Sequence, residues 1–236
     1  MSFSDHSNSN SKDQTPGLDA SDVPADQLVR VRKFHQSFIQ RLLRRTAHAI
    51  FGFHNRLRFG SIGPNSRIKF PNWIKGKRAV HIGRNVQIWR FARITAINPE
   101  SGCARITIGD DCVIHPSIHI SAVSSVVIGR GALIAANCYI TDHDHNWKDI
   151  DVPAVTNDYV IARDTTIGDF VWLGEKVMIL KGVTIGSNSI IGSGSVVTRS
   201  IPSHSVAVGN PARVIKTFDH DVGEWIRVSD HGSHEA

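Results

Sequence analysis

The fold class this sequence predicts is all-β, a parallel β-helix of about six coils. Three features predict it: a period of six, glycine beside the repeated residue, and one long interruption. Isoleucine recurs at 62, 68 and 74, at 82, 88 and 94, at 108, 114 and 120, at 128, 134 and 140, and at 161, 167, 179, 185 and 191, with Leu173 and Val197 completing the series. Seventeen of the chain's 27 Ile fall on these nineteen positions, a placement chance does not produce. Gly follows at 63, 83, 109, 129, 168, 174, 186 and 192, as a corner that turns tightly requires. A period of six fits neither a helix at about 3.6 residues per turn nor a free strand at about 2, but it fits a short strand and a turn, repeated. Three such units make one triangular coil, and stacked coils carry every sixth Ile into an internal column where β-branched side chains suit parallel pairing.

In chain order, residues 1–25 are rich in Ser, Asn and Asp and are expected to be a disordered tail. Residues 26–58 read as a basic amphipathic α-helix and linker. Leu28, Val31, Phe38, Leu42 and Ala49 recur at helical spacing, with Arg30, Lys33, Arg41, Arg44 and Arg45 elsewhere on the wheel. Such a helix suits either capping the open end of the solenoid or lying on a membrane surface. The coils span 59–217. Their lattice slips by two residues after Ile74 and after Ile120, and by eight after Ile94, where NPESGCAR reads as a turn. Between Ile140 and Ile161 about 15 extra residues leave the coil, giving an extruded loop over 141–160. A long loop on a rigid solenoid is where function tends to sit. Residues 218–236 are expected to close the chain as a short helix and polar tail.

At 236 residues, 41% apolar and 20% charged, the chain is a folded protein. No run approaches the roughly 20 apolar residues of a membrane-spanning helix, and MSFSDHSNSNSKDQ lacks the pattern of a secretory signal, so the expected compartment is the cytoplasm. Cys103, Cys112 and Cys138 make an odd count with neither zinc-ligand nor CxxC spacing, and read as buried thiols. The net charge of +6 conceals a lopsided distribution: residues 28–99 hold 16 Lys/Arg and no Asp or Glu, while residues 100–236 hold 10 cations and 16 anions. That asymmetry points to an anionic partner, whether nucleic acid, a phospholipid surface or a phosphorylated substrate.

The repeats, the histidine loop ITDHDHNW and the ending IGSGSVVTRSIPSHSVAVGNPARVIK together resemble the hexapeptide-repeat acyltransferases, within the maltose and galactoside O-acetyltransferase branch and close to the O-acetyltransferases of bacterial surface-polysaccharide synthesis. The likeness covers roughly residues 60–217. It implies a left-handed coil, a homotrimer with active sites between subunits, and acetyl-CoA as co-substrate with no metal. His145 matches the family's catalytic histidine, the general base that would deprotonate a sugar hydroxyl for direct attack on the thioester; imidazole titrates near neutral pH and suits that task. Asp142 is the nearest carboxylate to orient the ring, with Asp144 or a neighbouring subunit's residue as alternatives. His143 and Trp147 lie in the same loop and are candidate acceptor contacts, as is His115, at a position where the galactoside enzyme carries Asn. The resemblance further assigns Gly174, Glu175, Ser193 and the Thr198-Arg199 pair to the CoA groove, and Arg213 and Lys216 to the neighbourhood of its phosphates, where charge-assisted hydrogen bonds are required.

Other readings stay open at this level. His115 and His119 lie four apart, and a γ-class carbonic anhydrase uses the same solenoid with zinc on three histidines; sugar N-acetyltransferases use it as well, and a scaffold without catalysis is a third class. The cationic block ends before the loop and the groove begin. Its expected partner therefore narrows from nucleic acid to an anionic membrane or a lipid-pyrophosphate-linked glycan, with peripheral placement on the inner membrane face.

Overall fold

The computed structural model describes residues 58–97, 104–148 and 150–228. The tail expected over 1–25, the helix expected within 26–58 and Cys103 lie outside them. The coiled body is made of three parallel sheets, each receiving one strand per coil. The first sheet stacks Ser61–Ile62, Val80–Ile82, Arg105–Ile108, Ser125–Ile128, Thr165–Ile167 and Thr184–Ile185. The second stacks Arg67–Ile68, Gln87–Ile88, Val113–Ile114, Leu133–Ile134, Trp172–Leu173 and Ile190–Ile191, and the third Trp73–Lys75, Arg93–Ala96, His119–Ala122, Tyr139–Thr141, Met178–Ile179 and Val196–Val197. Six strands per sheet make the six coils the period implied.

The register is the sequence lattice. Ile62, Ile82, Ile108, Ile128, Ile167 and Ile185 are successive partners in the first sheet. Ile74, Ile94, Ile120, Ile140, Ile179 and Val197 are successive partners in the third. From the second coil onward these side chains are buried. Each fully buried Ile contributes about 1.5–3 kcal/mol of transfer free energy, so the column is the main source of cohesion. Cys112 and Cys138 point inward beside it, as expected, and each Sγ–H reaches a carbonyl of the next coil, Gly129 O at 3.0 Å and Gly174 O at 3.1 Å. Burial raises both thiols to about 11.

Three expectations change. The glycines beside the lattice are required by coil-to-coil approach more than by turning: a Cβ on Gly109 would lie 2.7 Å from the backbone N of Arg130, and on Gly174 2.6 Å from that of Ser193. The residues with positive φ sit elsewhere in the turns, as at Asn65, Asn85, Asp111 and Asn137. Ile161 is not on the ladder, because Ile140 pairs directly with Ile179; it belongs to an antiparallel hairpin of His143–His145 against Val160–Ala162. The excursion thus reaches past 160, and the coil resumes at Thr165. Finally, the segment expected as a C-terminal helix is a strand. Ser205–Gly209 continues the second sheet, Ala212–Asp219 returns antiparallel to it, and Glu224–Arg227 adds a further antiparallel strand. Gly223, at φ 79°, sits in the reversal, and Phe218 and Trp225 face each other with ring centroids 5.4 Å apart. An open sheet edge offers unpaired backbone groups, and pairing with it outweighs a short helix's weak propensity.

Candidate active site

The hairpin leaves the solenoid where the third-sheet strand of the fourth coil, Tyr139–Thr141, ends, and Asp142 fixes the exit. Its side chain is fully buried. It accepts hydrogen bonds from the backbone N–H of Val123 (3.0 Å) and Ser124 (2.8 Å) on the coil below, and from His143 Nδ1 at 2.8 Å. Burial pushes this carboxyl up, but the bonds from His143, Val123 and Ser124, with the attraction of His143, outweigh it and hold Asp142 below the ordinary carboxylate range. Asp142 is therefore an anion clamped between two coils, carrying an imidazole on its outer side. Thr141 Oγ1 lies 3.2 Å from the same Nδ1. With Nδ1 donating to the carboxylate, Nε2 of His143 is left as the acceptor nitrogen.

The expected pairing differs. Asp142 orients His143, whose side chain is only 13% exposed, and not His145. His145 follows two residues later, on the same side of the strand, and is exposed. Asp144 projects to the other side and is paired with Lys181 of the fifth coil. Alternation along a two-residue period was the available signal: in DHDH it separates the histidines from Asp144. Trp147, just beyond the hairpin strand, is exposed.

His143 also reaches the outer face of the third sheet. There Arg93, His119 and Tyr139 are successive register partners, and the His119 and Tyr139 rings meet edge-to-face at 5.1 Å. Burial, and the nearby charges of Arg93 and His143, hold His119 below the usual imidazole value. In the sequence His119 stands out only as a metal-ligand residue type four positions from His115. His115 lies on the corner between the second and third sheets, just before the strand that His119 opens, stacked on Trp89 at 5.7 Å. The two imidazoles have different ring partners, Trp89 and Tyr139, and no three His, Cys, Asp or Glu side chains among the described residues are grouped to hold a metal ion.

The corner that carries His115 runs the length of the coils. Backbone bonds join Lys69, Trp89, His115, Ala135, Gly174 and Gly192, each N–H donating to the neighbouring coil at 2.8–3.0 Å. Gly174, Glu175 and Ser193 are brought together on it, the N–H of Glu175 donating to Ser193 Oγ at 3.1 Å. Arg213 is exposed on the strand paired with Ser205–Gly209, opposite Val208. Thr198 and Arg199 are exposed on a different corner, after the third sheet. Lys216 is buried within the sheet extension, not presented on its surface. His115 and the Gly174–Ser193 groups thus share one corner, whereas the hairpin imidazoles follow the far end of a third-sheet strand, Tyr139–Thr141.

Coils built on this six-residue period match the hexapeptide-repeat transferases. Residues 164–199 match the family described as bacterial transferase hexapeptide (six repeats), and residues 117–142 match the hexapeptide repeat of succinyl-transferase. The chain is 35% identical to a protein of Escherichia coli K12 named provisionally as the lipopolysaccharide biosynthesis O-acetyl transferase WbbJ, over 67% of this chain and 82% of that one. It is 32% identical to the galactoside O-acetyltransferase of the same organism, over 68% of this chain and 65% of that one. Among solved structures, AntD, an N-acyltransferase from Bacillus cereus in complex with dTDP and 3-hydroxybutyryl-CoA, has a TM-score of 0.61 at 20% identity, covering 73% of this chain and 90% of that one. The hexapeptide-repeat acetyltransferase VCA0836 from Vibrio cholerae has a TM-score of 0.52 at 22% identity, covering 78% and 94%. The chain belongs to the hexapeptide-repeat acyltransferases; its coils are the left-handed β-helix of that family, and it is an acetyltransferase.

Proposed function

We propose that this protein transfers an acetyl group from acetyl-CoA to a hydroxyl of a sugar within a lipopolysaccharide or exopolysaccharide precursor. The observation that carries the reading is the Asp142-anchored hairpin, which projects two imidazoles from one side of a strand at the only long excursion of the described coils. His145 takes the hydroxyl proton as the oxygen attacks the thioester carbonyl. The C–S bond then breaks, and the imidazolium returns the proton to the CoA sulfur. Asp142 serves as a positioning residue, locking the root of the hairpin. The Gly174–Ser193 corner fits the pantetheine arm of CoA: small side chains leave backbone accessible, and Arg213 offers a cation beyond it. Thr198, Arg199 and Lys216 complete the groove on this reading, and His115, His143 and Trp147 contact the acceptor. As the family resemblance implies, the functional unit on this reading is a homotrimer whose sites lie between subunits. It works in the cytoplasm, peripherally on the inner membrane face.

The Asp142–His143 bond favours a second reading, in which His143 is the base and Nε2 its reactive atom. Mass spectrometry of surface glycans separates the two. Cells carrying the wild-type enzyme should show one acetyl more per modified sugar than cells without it. His145→Ala should lower that acetylation, and thiol release from acetyl-CoA with the identified acceptor, about 100-fold or more. Retention within about threefold in His145→Ala, with the loss appearing in His143→Ala, moves the base to His143. No acetyl difference at all removes the glycan assignment.

A further inference from the structure

The corner between the second and third sheets changes character along the solenoid. Its two most prominent positions are Phe70, Arg90, Pro116, Ala136, Glu175 and Ser193 in one column and Pro71, Phe91, Ser117, Asn137, Lys176 and Gly194 in the next, as the backbone bonds across the turns establish. The first outward position of the third sheet reads Trp73, Arg93, His119, Tyr139, Met178, Val196. The first two coils therefore place Phe70, Trp73, Trp89 and Phe91 at one corner, 54%, 68%, 36% and 61% exposed. Later coils put small or polar residues at the equivalent turn positions. Phe91 is also costly where it stands. Its φ is 62°, a left-handed conformation that Ser117, Asn137 and Gly194 share at the same position and that a bulky aromatic rarely adopts.

Charge accompanies the aromatics. Residues 58–97 hold nine Lys/Arg and no Asp or Glu, and Arg67, Arg90 and Arg93 are exposed around the same corner. Lys69 Nζ stands 3.0 Å over the Trp89 ring, joining cation and aromatic in one surface. Exposed Trp and Phe among exposed arginines have the chemistry of a bilayer interface: rings enter the headgroup level while Lys and Arg meet lipid phosphates. We infer that the first two coils dock on an anionic lipid bilayer through Phe70, Trp73, Phe91 and the arginines beside them. This surface deepens the peripheral membrane placement proposed above and does not depend on the acetyl-transfer chemistry.

The test uses the full-length protein and phosphatidylcholine vesicles with or without phosphatidylglycerol. The protein should float with the phosphatidylglycerol vesicles at low salt and be released as salt rises. Trp73→Ser with Phe91→Asn should lower partitioning about tenfold. Phe91→Asn installs the residue that Asn137 already shows to be suited to that backbone, so thermal unfolding no earlier than wild type separates lost docking from lost folding. Absence of binding, equal binding to vesicles of phosphatidylcholine alone, or undiminished binding of the double variant overturns the proposal. So does a double variant that dissociates the oligomer without any vesicle binding by the wild type, which makes the patch a subunit contact. Acetyl-CoA thiol release stays unchanged in these variants, so failure here is distinct from failure of the acetyltransfer assignment.

Discussion

The stacked coils and the hairpin between Asp142 and Ala162 are held by different physics. In the coils each lattice residue is fixed by its place in an apolar column and by its place in a hydrogen-bonded ladder, and both are renewed every coil. The hairpin lacks the apolar column and has only one short antiparallel pairing. It is tied down by one buried carboxylate, by the Asp144–Lys181 pair and by a few antiparallel bonds. The contrast shows how the fold can carry chemistry: a repetitively packed body supports a short segment that holds one imidazole, His143, largely covered and leaves another, His145, exposed.

Two isoleucines of the same six-residue series give the sharpest way to break that comparison. Ile120 is fully buried on the third-sheet ladder, whereas Ile161 is half-buried in the hairpin. Ile120→Ala should cost about 3–4 kcal/mol in denaturant unfolding, and Ile161→Ala about 1 kcal/mol or less. Equal costs would make the hairpin part of the core. Next in size, Asp142→Asn should cost about 1–3 kcal/mol, because two backbone donors and His143 lose a charged acceptor. The carboxyl is depressed in the folded protein, so its contribution is present above the ordinary Asp range and is lost as pH falls below it, through the folded value. Acid unfolding of wild type should accordingly be steeper than that of the Asn variant below about pH 4. A flat difference would mean the carboxylate carries no net linkage.

The smallest effect is on reactivity. With both thiols raised to about 11, Cys112 and Cys138 in a Cys103→Ser protein should react with a disulfide reagent at pH 8 only as the chain unfolds. Reaction in the native state at the rate of an exposed thiol would show that the coils open locally where the ladder suggests they do not.

The coils were legible because one residue type, repeated at one interval, dictates strand, face and register together. Ile161 shows the limit of that signal. It falls on the interval, but spacing cannot distinguish a residue that stacks from one that pairs backwards with Asp144. The glycine positions were read correctly and for an incomplete reason, since the approach of the next coil is invisible in a single repeat. In the site, the histidine pair was legible from residue type and resemblance. Which imidazole Asp142 holds was not, because it depends on where the coil below presents the N–H groups of Val123 and Ser124. The C-terminal strand was missed likewise: its partner is an edge created by Ser205–Gly209, and no local pattern announces it.

The backbone bonds that join equivalent corner positions have a metric consequence. Neighbouring strands in a sheet lie about 4.8 Å apart, so each coil adds a fixed increment between the aromatic, cationic end and the hairpin that leaves the fourth coil. Two to three increments amount to roughly 10–15 Å. The solenoid thus acts as a ruler graduated in coils. A chain with one whole coil inserted after Ala122 would keep every column in register and move its hairpin by one graduation, altering the reach of the enzyme without altering its chemistry.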